Sequence, residues 1–468
     1  MTTKKDLVEA HAFSRRRLVT AFLSGAPGGR EVEPSRPGRT IVGGAALALL
    51  LVAGAAIASV LAPRTQTDWD KPGLIISKQT GERYVITKQG APLRPVVNVA
   101  SAQLILGAHL TPTIVSQKTL DGRTPGDDIG ILGAPQELPT QSAFVESGWT
   151  ACTADGAGIS VDIARRPAVS VAHRAGTVVT ADGKTFWVVA DGADGRAWRY
   201  QVPSVPGEDN LLEAVGLTQE SRALHVSDSW LALFPAGGTL GFDSFGLGAR
   251  AGQRLSYAGR SGIAPTARVG DFATVTSTGR VFLLTPDGPA PLDPFAAAIY
   301  TTSAELVGNG PKEAGTGQLP GVGQSSPTWT SAHWPETTLH PLSGTVCGKL
   351  VATPGAAPYT LLAGDPKGHA WSAPAAGVLE PVADPGTGAL VRSGDWGQTT
   401  GGSVWIVDDR ARAYPLQDQQ TLDTLGFTSY RAPLVPDSWI KVLGAGVPLS
   451  SALALCPPQP LAGQKCPG

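Results

Sequence analysis

The feature that most constrains this chain is a run of twenty-two uncharged residues from Ile41 to Ala62, reading IVGGAALALLLVAGAAIASVLA. At about 1.5 Å of rise per residue, a helix of that length crosses the roughly 30 Å hydrocarbon layer of a bilayer. No other apolar run in the sequence is long enough to do so. Forty mostly polar residues precede it and 406 follow it. The expectation is one membrane anchor with a large folded body on a single side.

Charge predicts which side. Residues 1–40 carry Lys4, Lys5, Arg15, Arg16, Arg17, Arg30, Arg36 and Arg39 against Asp6, Glu9, Glu31 and Glu33, a net of +4. Just after the span, Arg64 and Lys71 cancel Asp68 and Asp70. Lys and Arg are retained in the cytoplasm. The sequence therefore predicts a single-pass protein of the cell membrane, N-terminus cytoplasmic and C-terminal domain extracytoplasmic. A cleaved signal peptide fits less well, because the run exceeds the usual apolar region of about 7–15 residues. Pro63 also follows the one Val-x-Ala that would serve as a cleavage site. Trp69 is placed to sit at the outer interface, where indole rings are favoured.

The net charge of −1 leaves no overall basic field, so no nucleic-acid partner is expected. Gly (58) and Pro (39) make up about a fifth of the chain and charged residues only 16%. That balance suits short strands joined by tight turns. Cys152, Cys347, Cys456 and Cys466 all follow the span. An even number in an oxidising compartment points to two disulfides. Cys456 and Cys466 bracket CPPQPLAGQKC and could close a small loop, in which case Cys152 and Cys347 bridge distant parts of the chain. Unpaired thiols are the alternative. Metal binding is disfavoured by the lack of any C-x-x-C pair.

Four segments share one pattern, a Gly, two residues, an aromatic and two further apolar residues. They begin at Gly81, Gly183, Gly279 and Gly402 and carry Tyr84, Phe186, Phe282 and Trp405. A second Gly follows nine residues later at Gly90, Gly192 and Gly288, and Ala411 takes that place in the fourth. Each copy reads as turn, buried strand, turn. The second and fourth copies share a later stretch, Val226-Ser227-Asp228-Ser229-Trp230 against Val435-Pro436-Asp437-Ser438-Trp439, which predicts short capped helices. The first and third share Ser101-Ala102-Gln103-Leu104 and Ser303-Ala304-Glu305-Leu306. Spacings of 102, 96 and 123 residues between the leading glycines exclude a fixed-period solenoid or propeller. They favour small α+β modules with intervening pieces, Trp149–Ala168, Phe245–Ile263 and Thr345–Pro381, that form a separate core.

The Arg-rich N-terminus, the single early span and the stretch from Ala91 to Ala102, reading APLRPVVNVASA, resemble EccB, the single-pass core membrane subunit of type VII (ESX) secretion systems. Residues Gly130 to Pro139, GILGAPQELP, resemble that family's G-I-x-G-A-P-x-x-L-P element, and Cys152 and Cys347 match its paired cysteines. The resemblance runs from about Asp6 to Leu455. It implies a β-rich α+β fold: one transmembrane helix, then an elongated outer region of four repeat modules around a central mixed sheet. The boundaries expected are a basic arm at 1–40, the span at 41–62, and modules at 63–144, 171–244, 268–340 and 395–455. Core segments fall at 145–170, 245–267 and 341–394, and a Cys/Pro-rich tail at 456–468. The resemblance further implies assembly with EccC (an FtsK-like motor), EccD and EccE, contact with the mycosin protease, and self-association in the complex. Leu7, Leu18 and Phe22 return to one side of a helix, so the arm is expected to dock on EccC or EccD. Arg15, Arg16 and Arg17 interrupt that side, and fixing topology beside anionic membrane lipid headgroups is the alternative role.

Catalysis finds little footing. Some descriptions of the family call it an ATPase, and a P-loop needs G-x-x-x-x-G-K-[ST]. The closest stretch, Gly344 to Leu350 (GTVCGKL), is one residue short and ends in Leu, which cannot coordinate magnesium. His333 and His340 flank Pro335, which breaks the helix that an H-x-x-x-H metal pair needs. Asp127-Asp128 and Asp408-Asp409 read as turn carboxylates, and no G-x-S-x-G elbow occurs. No catalytic residue, cofactor or metal is expected. The function expected is a structural subunit of the secretion complex that organises the channel periphery and contacts envelope components. The alternative is a peptidoglycan-binding anchor using the strand aromatics, for which core packing is the better expectation, and ATP hydrolysis ranks last.

Overall fold

The computed structural model describes residues 3–24, 43–53, 69–306, 310, 312–316, 323–364 and 373–458. The chain divides into two compact units, Met1–Thr67 and Asp68–Gly468.

In the first unit a helix runs from Lys4 to Ser24. Its start is fixed by Thr3, whose backbone N–H and Oγ1 both donate to Asp6 Oδ2, at 3.1 and 2.7 Å. Those bonds hold the Asp6 carboxyl below its ordinary range, and a carboxylate in the first turn complements the helix dipole. Residues 43–53 are also helical. The rest of the apolar run, residues 41–42 and 54–62, lies outside the described residues. Among the described residues no helix is long and apolar enough to cross a membrane.

The second unit is α+β and rich in strand, with five sheets. In the first, Gly73–Ser77, Arg83–Ile86 and Arg94–Pro95 form an antiparallel meander. The helix Val99–Leu106 then carries the chain back, so that Thr113–Val115 pairs parallel to Gly73–Ser77 on its free side. The same order recurs with Phe272–Val275, Arg280–Thr285, Gly288–Leu292, the helix Pro294–Leu306 and Glu313–Thr316. Two more sheets add a fifth strand, and the first of them also a sixth, His340–Pro341, parallel to Ala175–Thr180. In one, Ala175–Thr180, Phe186–Asp191 and Ala197–Gln201 meander, Leu224–His225 joins parallel to the first strand, and Ala236–Thr239 joins parallel to the third. In the other, Ala389–Gly394, Val404–Val407 and Arg412–Leu416 are followed by Leu434–Pro436 and Gly444–Ala445 in the same places.

The leading glycines explain why these strands start where they do. Gly81, Gly183, Gly279 and Gly402 have φ of +73°, +70°, +67° and +78°, a region that L side chains rarely adopt. At Gly402 a Cβ would also stand 1.6 Å from the Ser393 carbonyl oxygen. Ala411 keeps the left-handed turn (φ +52°) without Gly and is fully buried.

The fifth sheet is the centre of the unit. Its order is Leu379–Ala383, Ile159–Ile163, Trp149–Thr153, Val346–Val351, Tyr359–Gly364, Ser170–Val171. Only the first pair is parallel. Every residue of Trp149–Thr153 is buried. The small sheets reach this centre through tryptophan. Trp149, Trp230 and Trp439 are all 0% exposed. Trp230, from the helix Asp228–Leu231, donates its indole N–H to the Ala151 carbonyl at 3.0 Å. Trp439, from the helix Asp437–Lys441, donates to Leu233 O at 3.3 Å. Ser227 caps the first of these helices by accepting from Trp230 N at 3.2 Å. Truncating such a ring costs about 3–5 kcal/mol.

Two details differ from expectation. Residues 245–267 supply no strand to the central sheet. They form short 3-10 turns, Phe242–Phe245 and Gly248–Arg250, and pack Leu247, Leu255, Tyr257 and Ile263 into a core shared with the second and third small sheets. Glycine at 246, 248, 252, 259 and 262 denies the segment a continuous strand. Ala389–Gly394, at the end of 341–394, pairs with Val404–Val407 in a small sheet and so belongs to the fourth meander.

Candidate functional site

The sequence elements that carry the family resemblance bind one another. Asn98 caps the helix Val99–Leu106 by accepting from Ser101 N at 2.8 Å, and its amide donates to Ile131 O at 2.9 Å. Gln103, 1% exposed, accepts from Leu138 N at 2.7 Å and donates to Ala108 O at 3.1 Å. Gly130 N donates to Cys456 O at 3.0 Å. Ala100 and Leu104 then pack with Leu390, Ile406, Leu422 and Leu449, so the first and fourth small sheets share one apolar core. These are joints, and they explain why such residues sit together without touching a substrate.

Cys152 and Cys347 face each other across neighbouring strands, are disulfide-bonded and have Cα atoms 4.0 Å apart. Cys456 is also disulfide-bonded. Cys466 lies outside the described residues. The stretch nearest to a P-loop is part of this same joint. Val346–Val351 runs between two strands of the central sheet, so its amides are aligned along a ladder and do not converge on a phosphate. A Cβ on Gly348 would meet Thr360 at 3.1 Å and Phe234 at 3.2 Å, which leaves no room there for a nucleotide.

The arm residues Leu7, Arg15, Arg16, Arg17, Leu18 and Phe22 all lie on the helix Lys4–Ser24 and are exposed, Phe22 at 91%. At about 100° per residue, Leu7, Leu18 and Phe22 fall within a sector of roughly 60°. His11 falls inside the sector, Arg15 about 20° past Phe22, and Phe13 points the opposite way. The apolar face is thus narrow and flanked by cations.

The remaining polar candidates are structural. His333 caps the 3-10 helix Thr328–Ala332 at φ +58° and stacks on Trp198, ring centroids 3.8 Å apart. His340 belongs to a two-residue strand beside Ala175–Thr180. Among the described residues no three His, Cys, Asp or Glu side chains gather to hold a metal. Asp408 is 3% exposed and accepts from Arg410 N, Arg412 N and Tyr414 Oη at 3.0, 2.9 and 3.0 Å, stapling a turn. Burial and that carboxylate push the Tyr414 phenol up. Asp127, Asp128 and Asp409 are exposed. Phe282 is buried, and Phe186 and Trp405 are half-buried against apolar cores. Tyr84 donates to Glu82 Oε2 at 2.6 Å, which with burial pushes its hydroxyl up to about 12.

Two charged surfaces escaped the motif search. Residues 244–270 hold Arg250, Arg254, Arg260 and Arg268 and no acid, in a chain whose net charge is −1. All four are exposed. Arg254 and Arg268 lie directly opposite each other in an antiparallel bridge. Arg250 reaches Asp287 at 4.0 Å, and Arg268 donates from its guanidinium to Gly252 O at 2.8 Å and from its backbone N–H to Asp271 Oδ2 at 2.8 Å, but the guanidinium groups of Arg254, Arg260 and Arg268 form no ion pair with a carboxylate among the described residues. The opposite surface is the helix Glu208–Ala214 with the turn Glu220–Arg222, carrying Glu208, Asp209, Glu213 and Glu220. Asp209 accepts from Glu220 N at 2.8 Å and Glu208 from Val205 N at 2.7 Å. Burial, then repulsion from Glu208 and Asp209, pushes the Glu220 carboxyl up to about 7. A running count of charge along the chain is the signal that finds both surfaces.

Comparison with known proteins gives one consistent result. The family model described as "Type VII secretion system ESX-1, transport TM domain B" matches residues 1–460. The ESX-3 secretion system ATPase EccB3 of Mycolicibacterium smegmatis is 27% identical over 472 residues, covering 91% of this chain and 85% of that protein. The ESX-1 secretion system ATPase EccB1 of Mycolicibacterium smegmatis is 33% identical over 114 residues, which span 24% of this chain and 23% of that protein. The fold matches a chain of an intact ESX-5 inner membrane complex with a TM-score of 0.64 and 22% identity, covering 100% of this chain and 98% of that one. It matches the EccB3 dimer from the ESX-3 core complex with a TM-score of 0.61 and 22% identity, covering 82% and 100%. At that identity the likeness is one of fold.

Proposed function

The chain belongs to the EccB family of type VII secretion proteins, and we propose that it serves as a structural subunit of an ESX secretion membrane complex. In this reading its larger unit stands outside the cytoplasmic membrane, organises the periphery of the channel and contacts envelope components. The observation that carries the reading is the match of one family model to residues 1–460, first arm included. The geometry supports it through what its motifs do: Asn98 and Gln103 tie the helix Val99–Leu106 to the loop 131–138, Gly130 bonds the Cys456 carbonyl, and Cys347 cross-links neighbouring strands of the central sheet.

The arm residues Leu7, Leu18 and Phe22, flanked by Arg15, Arg16 and Arg17, dock on EccC or EccD, with EccE and the mycosin protease as further neighbours. The run 41–62 anchors the chain as a single pass with the N-terminus in the cytoplasm. The four small sheets, with their shared strand order, are copies of one module interleaved with the disulfide-bonded centre. ATP hydrolysis, carried in the names of the relatives, gains no support from Gly344–Leu350, whose strand and disulfide leave no phosphate cradle. Peptidoglycan binding gains none from Phe186, Phe282 and Trp405, which pack inward.

Affinity purification of the full chain from native membranes in mild detergent tests the reading. EccC, EccD and EccE are expected to co-elute, and Leu18→Asp with Phe22→Asp is expected to release EccC or EccD. A chain that elutes alone under conditions that keep EccC and EccD together contradicts it.

A further inference from the structure

We propose that the arginine surface of residues 250–268 binds a second copy of this chain, and that the surface it meets there is the acidic helix Glu208–Ala214 with Glu220.

The argument begins with a conflict inside the fold. Like charges directly opposite each other in an antiparallel pair destabilise it, and their side chains leave the same face with Cβ atoms about 4.5–5.5 Å apart. Arg254 and Arg268 are in that relation. Asp271 accepts from the Arg268 backbone N–H at 2.8 Å, but neither guanidinium forms an ion pair among the described residues. The segment is not forced to be basic by its packing, because Leu255, Tyr257 and Ile263 supply its buried contacts and the arginines point to solvent. Three exposed guanidinium groups, those of Arg254, Arg260 and Arg268, on a glycine-rich segment whose bounding acids are Asp243 and Asp271, therefore look outward for an anion. A guanidinium fork matches a carboxylate through two parallel hydrogen bonds, which a lone ammonium cannot do.

The chain also carries the matching surface. Glu208, Asp209, Glu213 and Glu220 crowd one helix and the turn after it, and no ion pair with a cation relieves them among the described residues. Burial, and then repulsion from Glu208 and Asp209, pushes the Glu220 carboxyl up to about 7. Both surfaces are mounted on one apolar core, since Leu211 and Leu212 of the acidic helix pack in the same cluster as Leu255, Tyr257 and Ile263. Their spacing is therefore fixed by the fold. A two-fold axis between copies sets each basic surface against the other copy's acidic one, making the contact twice. Copies that meet basic to basic or acidic to acidic repel, so the pattern also selects one arrangement.

Exposed ion pairs are individually weak and are screened with a Debye length of about 10 Å at 0.1 M salt. The contact is consequently predicted to be salt-labile and to tighten an assembly held by other contacts. The inference deepens the subunit reading, and rests on it only in supposing that copies stand side by side.

The test is sedimentation velocity of the full chain in detergent at 100 and 500 mM NaCl, with unfolding midpoints recorded to show that each variant folds. The wild-type chain is expected to self-associate at low salt, roughly tenfold more weakly at high salt. Arg254→Glu with Arg268→Glu is expected to weaken association by roughly a hundredfold. Glu208→Lys with Glu213→Lys is expected to do the same, and Glu213→Lys alone serves if the double variant misfolds. Mixing the two reversed chains is expected to restore association between them. Arginine reversal that leaves both the strength and the salt dependence of self-association unchanged overturns the proposal. So does failure of the reversed pair to re-form, or a loss on arginine reversal confined to flotation with vesicles of phosphatidylglycerol, which would assign the arginines to lipid phosphates. Any of these results leaves co-purification with EccC and EccD untouched, so the two readings fail separately.

Discussion

Cutting the bond between Cys152 and Cys347 perturbs the centre of the fold at a single point. It joins adjacent strands that are 195 residues apart in the chain. In the chain-entropy model, a loop of that size removes about 5 kcal/mol of freedom from the unfolded chain, and losses of about 2–5 kcal/mol are usual when a native disulfide is removed. Cys347 is 0% and Cys152 6% exposed, against Ala363 and Val169. Alanine at both positions therefore leaves a small apolar gap and no orphaned hydroxyl. A loss of about 3–5 kcal/mol is a fifth or more of the roughly 5–15 kcal/mol that ordinarily separates folded from unfolded domains. At about 2–4 °C per kcal/mol for a cooperative unit of 150–250 residues, the unfolding midpoint should fall by roughly 6–20 °C. The assay is scanning calorimetry of the full chain in detergent, wild type against Cys152→Ala with Cys347→Ala. A second arm adds reductant to the wild-type chain, whose buried bond should resist it until the sheet opens. A midpoint that falls by less than about 3 °C would refute the reasoning, because the two strands would then be held together without the cross-link.

Three further outcomes follow from the same geometry. Trp230→Ala empties a site 0% exposed and leaves the Ala151 carbonyl without its indole donor, so urea unfolding should show a loss of about 3–5 kcal/mol, while Trp230→Phe should lose clearly less. Glu220 has a folded pKa of about 7, raised above the unfolded value, so its contribution to stability is complete below about pH 4.3 and is lost as pH rises through 7. Glu220→Gln should accordingly raise the melting temperature at pH 8 and leave it unchanged at pH 4, and equal effects at both pH values would contradict the assignment. Gly402→Ala places a Cβ 1.6 Å from the Ser393 carbonyl at a φ of +78°, so circular dichroism should show a fold much less stable than that of Gly397→Ala, where nothing lies within 4 Å.

Local signals in this chain were legible where physics is local. The Gly-x-x-aromatic pattern marks strands because a left-handed turn followed by a pleated, half-buried face needs those residue types, and Arg83–Ile86 and Val404–Val407 begin within two residues of their glycines. Ser227 and Trp230 announced a capped helix whose ring plugs the core. What the residues do not spell out is long-range partnership. Nothing in Thr113–Val115 says that it pairs parallel to Gly73–Ser77, since the crossover through Val99–Leu106 is chosen by tertiary packing. Residues 245–267 carry the apolar Phe245, Leu255, Tyr257 and Ile263 of a core segment, but their glycine-broken spacing has neither the strand nor the helix period and does not say which core they enter. The arginine surface was overlooked for a related reason. A search by motif passes over residues 10 or so apart in sequence that irregular backbone brings to one face, whereas a charge count does not.

The central claim, that this chain is a structural member of a secretion complex, is tested most directly by deleting its gene and resolving the remaining subunits on blue-native gels. The account predicts that the high-mass species containing EccC and EccD disappears, that export stops, and that both return with the full chain, including a Lys349→Ala version. A complex of unchanged mass and undiminished export in the deletion strain would contradict it.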